Sequence, residues 1–259
     1  MRINNVDPHT HSTISRHAHS SIWENAQCGA AAGLEAIAIT DHFGLFLPWF
    51  EDARTIDMTM HIMPSTLPPQ IAGIRVFAGV ELDIVDIFGN LAGHDLDIKG
   101  YSGHNTALSY MLARRDVVIA SLHYIDNLRD FTKTQLTQMY CNVLAKPGVH
   151  ILGHCTRYGL DLDFAEIVAA AKEHGKLIEF NAASLRRDSD EQRALHIHLA
   201  ELCAKTATQI TICSDAHFCT NVGNFNEVEN LLSEIDFPPE LIASRDLASF
   251  EKALQKIKI

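Results

Sequence analysis

Seven short, almost uninterrupted apolar runs recur along the chain: Ile3–Val6, Ala36–Thr40, Val76–Val80, Val117–Ser121, His150–Leu152, Leu177–Phe180 and Gln209–Cys213. Runs of this length without alternation are the pattern of parallel strands covered on both faces. Helical segments fall between them. Ser21–Gly33 opens on a capping residue and ends at glycine, and Thr134–Leu144 stops before Lys146-Pro147-Gly148. Asp163–His174 has Glu166, Ile167, Ala170 and Ala171 at helical spacing and stops at Gly175; Asp190–Lys205 and Asn226–Ser233 follow. Seven strands, six of them followed by a helical segment, predict an α/β fold: a (β/α) barrel one unit short of the eight-fold form. An open doubly wound sheet is the alternative, but no G-x-G-x-x-G follows the first strand to support it. No repeat, low-complexity tract or linker stands out, so residues 1–259 are expected to form one barrel domain.

Two stretches break the rhythm. Phe43–Pro69 carries Leu45, Phe46, Leu47, Trp49 and Phe50, then Met58, Met60, His61 and Met63, with four prolines. It is too long for an ordinary βα loop and reads as a lid or a substrate wall. Asp86-Ile87-Phe88-Gly89-Asn90 reads as a small hairpin turn.

Composition narrows the function classes. The 259 residues carry 21 Lys+Arg against 32 Asp+Glu, a formal charge of −11. That balance argues against a module held mainly by nucleic-acid phosphates, which needs a basic face. No apolar run reaches the roughly 18–20 residues that cross a bilayer, and no secretory signal is readable from Met1 to Asp7. The six cysteines form no CxxC pair and read as reduced core residues of a cytoplasmic protein. The outlier is histidine, 15 in all.

The histidines gather where the predicted strands end. Asp7-Pro8-His9-Thr10-His11 follows the first strand, and residues i and i+2 of an extended segment face the same side. His17 lies six residues on. Ile39-Thr40-Asp41-His42 ends the second strand, Gly79-Val80-Glu81 the third, Leu122-His123 the fourth and Gly153-His154 the fifth. Ser214-Asp215-Ala216-His217 ends the seventh, repeating the i, i+2 spacing. In a barrel the C-terminal strand ends form the catalytic face. One such histidine is usually a surface residue; nine candidate ligands from six strand ends are a metal centre. Catalytic zinc takes about three protein ligands plus water, so nine with one bridging carboxylate suit about three divalent ions. Imidazole and carboxylate favour zinc, with manganese or iron as alternatives. Three such ions would make the rim locally positive and receptive to an anion despite the acidic chain. The remaining histidines, among them His19, His150 and His196, sit mostly in helices or loops and read as surface residues.

These ordered motifs, with the tail from Phe237-Pro238-Pro239 to Phe250, resemble the PHP (polymerase and histidinol phosphatase) family, most closely its stand-alone bacterial phosphoesterases. The chain departs from the family pattern at Pro8, where a larger apolar residue is usual, and at Cys155, where proline is common. The resemblance implies a distorted (β/α)7 barrel with a trinuclear site. His9, His11, Glu81 and Asp215 would hold one ion, Glu81 bridging to a second held with His123 and His154. His17, His42 and His217 would hold the third. The implied reaction is hydrolysis of a small phosphomonoester by a hydroxide bridging the first two ions, with Glu81, Asp215 and His217 at the reacting centre. Arg157, Arg186 (or Arg187) and Arg16 are the candidates for a phosphate clamp, and His19 for a substrate contact; Asp41 and His19 are the candidate general acids. The expected partner is a small phosphorylated molecule, with no extended nucleic acid and no membrane. Three other readings stay open: a metal-dependent amidohydrolase, which commonly bridges its metals with a modified lysine absent from these strand ends; a nuclease acting on nucleotides or short oligonucleotides; and a non-catalytic metal-binding module.

Overall fold

The computed structural model describes residues 3–44, 66–101, 103–187 and 189–256. Seven parallel strands form the barrel: β1 (Val6–Thr10), β2 (Ala36–Ile39), β3 (Ile74–Asp83), β4 (Val117–Ser121), β5 (Ile151–Leu152), β6 (Leu177–Asn181) and β7 (Ile210–Cys213). They pair in sequence order. The last closes toward the first where the Asp215 amide donates to His9 O at 3.0 Å and the His11 amide to Ala216 O at 2.9 Å. This is the barrel one unit short of eight that the run pattern predicts, in the distorted (β/α)7 form that the resemblance implies.

Helices cover the outside: α1 (Ile22–Ala31), α2 (Ala107–Arg114), α3 (Lys133–Leu144), α4 (Phe164–His174), α5 (Ala182–Leu185), α6 (Asp190–Thr206), α7 (Asn226–Glu234) and α8 (Leu247–Lys256). Reciprocal caps start several of them, Ser21 with Glu24, Thr132 with Gln135 and Ser189 with Gln192. Helix α2, absent from the sequence reading, follows a hairpin of Asp97–Tyr101 and His104–Thr106; its eight residues are too few for the apolar period to show. The turn at Asp86 forms as expected, the Asp86 carboxylate accepting from the amides of Phe88 and Asn90 at 2.9 and 3.0 Å. The proposed lid or wall falls largely on residues 45–65, which lie outside the described residues.

Strand parity explains why this barrel carries a polar rim on an apolar base. Phe77, Val117, Ile119, Ile151 and Leu177 share one buried cluster with Val6, Ala36 and Ala38. Helix α8 closes that end by setting Phe250 against Phe77, ring centroids 5.6 Å apart. Two residues farther along each strand, the same parity gives Gly79, Gly153 and Glu179, and two farther Glu81 and Asn181. A Cβ at Gly79 would stand 2.5 Å from Thr40 Cγ2 and 2.9 Å from Ile39 O, so the close approach of β2 and β3 requires glycine.

The first strand differs from its prediction. It begins at Val6 rather than ending there, so the H-x-H pair stands in and just beyond the strand. Its register with β2 shifts between Asp7 and Thr10. Pro8, which has no N–H to give the ladder, sits within that irregularity.

His150 is an interior residue, 6% exposed, not a surface one. Its Nδ1 accepts from the Val118 amide at 3.0 Å. Burial, and secondarily the nearby Lys176, push it down to about 4. Between about pH 6.5 and pH 4 the unfolded chain takes up a proton that the folded chain refuses. This contribution is therefore complete above about pH 6.5 and is lost as pH falls to about 4, amounting to about 3 kcal/mol. His150→Asn keeps an acceptor for the Val118 amide. In urea unfolding, it is expected to lose less stability than the parent between those two pH values; equal losses would show that His150 does not set the acid limb.

Candidate metal centre

His42, Glu81 and His123 continue the inward parity of their strands, whereas the shifted register of β1 places His9 and His11, and His154 stands one residue off that alternation, after Gly153. His9 Nε2 and His11 Nε2 stand 3.0 Å apart. Asp215 Oδ1 lies 3.2 Å from His11 Nε2 and 3.7 Å from His9 Nε2. Glu81, wholly buried on β3, is the hub. Its Oε2 lies 2.8 Å from His42 Nδ1, 3.2 Å from His9 Nε2 and 3.5 Å from His11 Nε2, and its Oε1 lies 3.1 Å from His154 Nε2 and 3.4 Å from His123 Nε2. His217 stacks on His11 at 4.2 Å, and His17 packs against His42 and His217 at 5.0 and 4.5 Å. All nine predicted ligands thus gather in one cluster. The backbone is unusual at two of them: φ is 21° at His154 and 54° at Asp215, left-handed values that only a few per cent of non-glycine residues adopt.

Hydrogen bonds behind the rings fix which nitrogen faces inward. A carboxylate only accepts, so His9 Nδ1–H donates to Glu179 at 2.6 Å and His123 Nδ1–H to Asp83 at 2.7 Å. Ser15 Oγ donates to Asp41 at 2.6 Å, leaving its lone pairs to accept from His11 Nδ1–H and the His42 amide, both at 3.1 Å. The Nε2 atoms of His9, His11 and His123 are thereby turned toward Glu81 and Asp215. A lone pair facing a carboxylate oxygen at 3.2–3.4 Å is repulsive unless a cation stands between them.

At His9 and His123 the surrounding carboxylates favour a proton in the bare chain. Burial opposes charge on His9, yet Glu81, Glu179 and Asp215 hold it well above its ordinary range. His123 is likewise raised to about 9 against its burial, by Glu81 and Asp83. Burial also penalises Glu81, but His9, His123 and His42 hold it well below the carboxylate range. The opposite shift holds elsewhere in the cluster: burial, and then the neighbouring His42, lower His11 well below its ordinary value and His17 to about 4, and burial lowers His154 to about 4.

The donor set fits divalent ions. Atoms about 2.1 Å from one tetrahedral ion are about 3.4 Å apart, close to the separations seen here. Among the described residues, three groups bring their ligand atoms within 4.8 Å of one another: His9, His11 and Asp215; His42, Glu81 and His123; and His11, His42 and His217. Glu81 Oε2, buried without a hydrogen bond, lies at their junction. The resemblance puts His42 with His17 and His217 alone, whereas its 2.8 Å approach to Glu81 makes it common to two groups.

A PHP domain profile matches residues 7–235. The chain belongs to the PHP family. It is 33% identical over 260 residues to a probable phosphatase of Acetivibrio thermocellus, covering 98% of this chain and 96% of that protein. It is 30% identical to a probable phosphatase of Clostridium novyi, covering 98% and 96%. Among solved structures, the histidinol phosphate phosphatase of Lactococcus lactis, in complex with zinc, L-histidinol and phosphate, aligns with a TM-score of 0.56 at 16% identity, covering 91% of this chain and 95% of that one. At that identity the likeness speaks for the fold.

Around the PHP cluster the predicted substrate residues separate. Arg157 reaches the cluster, Nη2 2.6 Å from Asp215 Oδ2 and Nε 3.0 Å from Ser184 Oγ. Arg186 instead pairs with Glu227 of α7 at 3.2 Å, an attachment that parity on a short helix did not reveal. Arg16 and His19 are exposed on the loop after β1; the His19 amide donates to His217 O at 2.9 Å. Asp41 is buried behind the cluster: its oxygens accept from the Ser12 amide and the hydroxyls of Ser12 and Ser15 at 2.6–2.7 Å, and burial raises its carboxyl. The sequence reading passed over Glu179 and Asp83. Glu179 had a signal, an acidic residue inside the otherwise apolar run Leu177–Phe180, and Asp83 repeats the i, i+2 spacing from Glu81. Among the described residues, no helix is long and apolar enough to cross a membrane.

Proposed function

We propose that the chain hydrolyses a small phosphomonoester at a site for three divalent ions, zinc being the preferred metal. The observation that carries this reading is the buried Glu81 carboxylate with five imidazole nitrogens within 3.5 Å of its two oxygens. Its support from relatives is that the curated homologues are named probable phosphatases. His9, His11 and Asp215, then Glu81 with His42, His123 and His154, then His217 with His17 would hold the ions. Bound divalent ions supply Lewis acidity and bring the pKa of water down to about 7. The protein's own part is positional. Arg157 is fixed by Asp215 and Ser184, and burial notwithstanding, Asp215 and Glu81 keep it charged. It offers a pre-oriented donor for phosphoryl oxygens at the cluster's edge. Arg16 and His19 stand outside this arrangement, on the surface over which a leaving group would extend.

The test is a panel of phosphomonoesters, amides and lactones, assayed on protein whose metals have been counted. Phosphate release that follows metal content is expected. Amide or lactone cleavage without phosphate release would instead favour the amidohydrolase reading, and three bound ions with no turnover would favour a binding module.

A further inference from the structure

Strand β6 contributes none of the nine predicted ligands, yet its interior face carries a buried carboxylate, Glu179, 1% exposed. Its two oxygens serve two different strands. Oε1 accepts from His9 Nδ1 at 2.6 Å, reaching past β7 to β1, and Oε2 accepts from the His154 amide at 2.7 Å at the end of β5. The two contacts act differently. The first selects the His9 tautomer whose Nε2 faces Glu81 and Asp215. The second ties down the His154 backbone at its left-handed φ of 21°, a conformation that surrounding contacts must hold in place. His9 and His154 approach opposite oxygens of Glu81, at 3.2 and 3.1 Å.

We propose that Glu179 is a positioning residue that holds His9 and His154 together, so that metal affinity on both sides of Glu81 depends on this one carboxylate. The inference rests on the metal reading above. Glutamine has nearly the same shape but one acceptor oxygen. In Glu179→Gln the amide oxygen satisfies one of the two N–H donors while its NH2 opposes the other. The expected result, by chelator competition on the full chain, is zinc affinity lower by roughly 10–100-fold, the range for losing such a supporting contact, with more than one ion weakened. Amide exchange at His154 in the metal-free protein is expected to quicken.

Ile119→Val, in the buried layer beneath the site, is the control for a merely structural effect. It is expected to lower the melting temperature while leaving zinc affinity unchanged. Wild-type zinc affinity in Glu179→Gln would overturn the proposal, as would an equal loss of affinity in Ile119→Val. A parent protein that binds no divalent ion would instead overturn the metal reading itself.

Discussion

Asp215→Asn is expected to lower kcat/KM for p-nitrophenyl phosphate by about three orders of magnitude or more, with fewer ions bound per chain. A metal ion contributes several kcal/mol to transition-state charge stabilisation, and about 1.4 kcal/mol is a tenfold change in rate. Asparagine is preferred to alanine for two structural reasons. Position 215 has φ 54°, which asparagine tolerates better than alanine. Alanine would also leave Arg157 beside an empty space where its carboxylate partner, 2.6 Å away, had been, and a partly buried charge without its partner is costly. The same charge explains why the asparagine effect should be large. Burial raises Asp215, yet His9, His11 and Arg157 hold it well below the carboxylate range, and asparagine removes the charge they favour. Wild-type turnover and metal content in Asp215→Asn would overturn the proposed site.

Glu81→Gln is expected to be at least as severe, and to differ in stoichiometry. Asp215 faces the His9–His11 side, whereas Glu81 faces imidazoles with both oxygens. Glutamine there keeps the volume, removes the charge and turns an NH2 toward nitrogens whose lone pairs face it. Elemental analysis should therefore show more than one ion lost per chain. Loss of a single ion would show that Glu81 does not bridge. Thermal melting of the metal-free forms separates this from misfolding, because a neutral side chain at 81 no longer has burial opposing its charge.

Much of this was legible in the sequence because it is local. The strand runs, the helix caps and the placement of acid and imidazole at strand ends depend on neighbours a few residues away, and period-two alternation carries them from chain to face. The apolar run puts the first strand at Ile3–Val6, whereas the strand is Val6–Thr10, most of it polar; the ladder accommodates Pro8 with an irregular register. Histidines 150 and 196 were read as surface residues, yet they are 6% and 1% exposed. Their hydrogen bonds reach Val118, 32 positions away, and Thr156, 40 positions away.

The sequence by itself determined the barrel, the apolar base and the rim on which nine ligand-type side chains would meet. Only the tertiary structure decided what stands behind and between them. It put Glu179 on His9 and His154, Asp83 on His123, Ser15 on His11 with Asp41 behind it, and His42 between two groups; it brought Arg157 to Asp215 and took Arg186 to Glu227. The physical reason is reach. Parity tells a side chain which face it occupies, but the partner it meets across the interior depends on strand tilt, register and closure, which are set by the whole barrel at once.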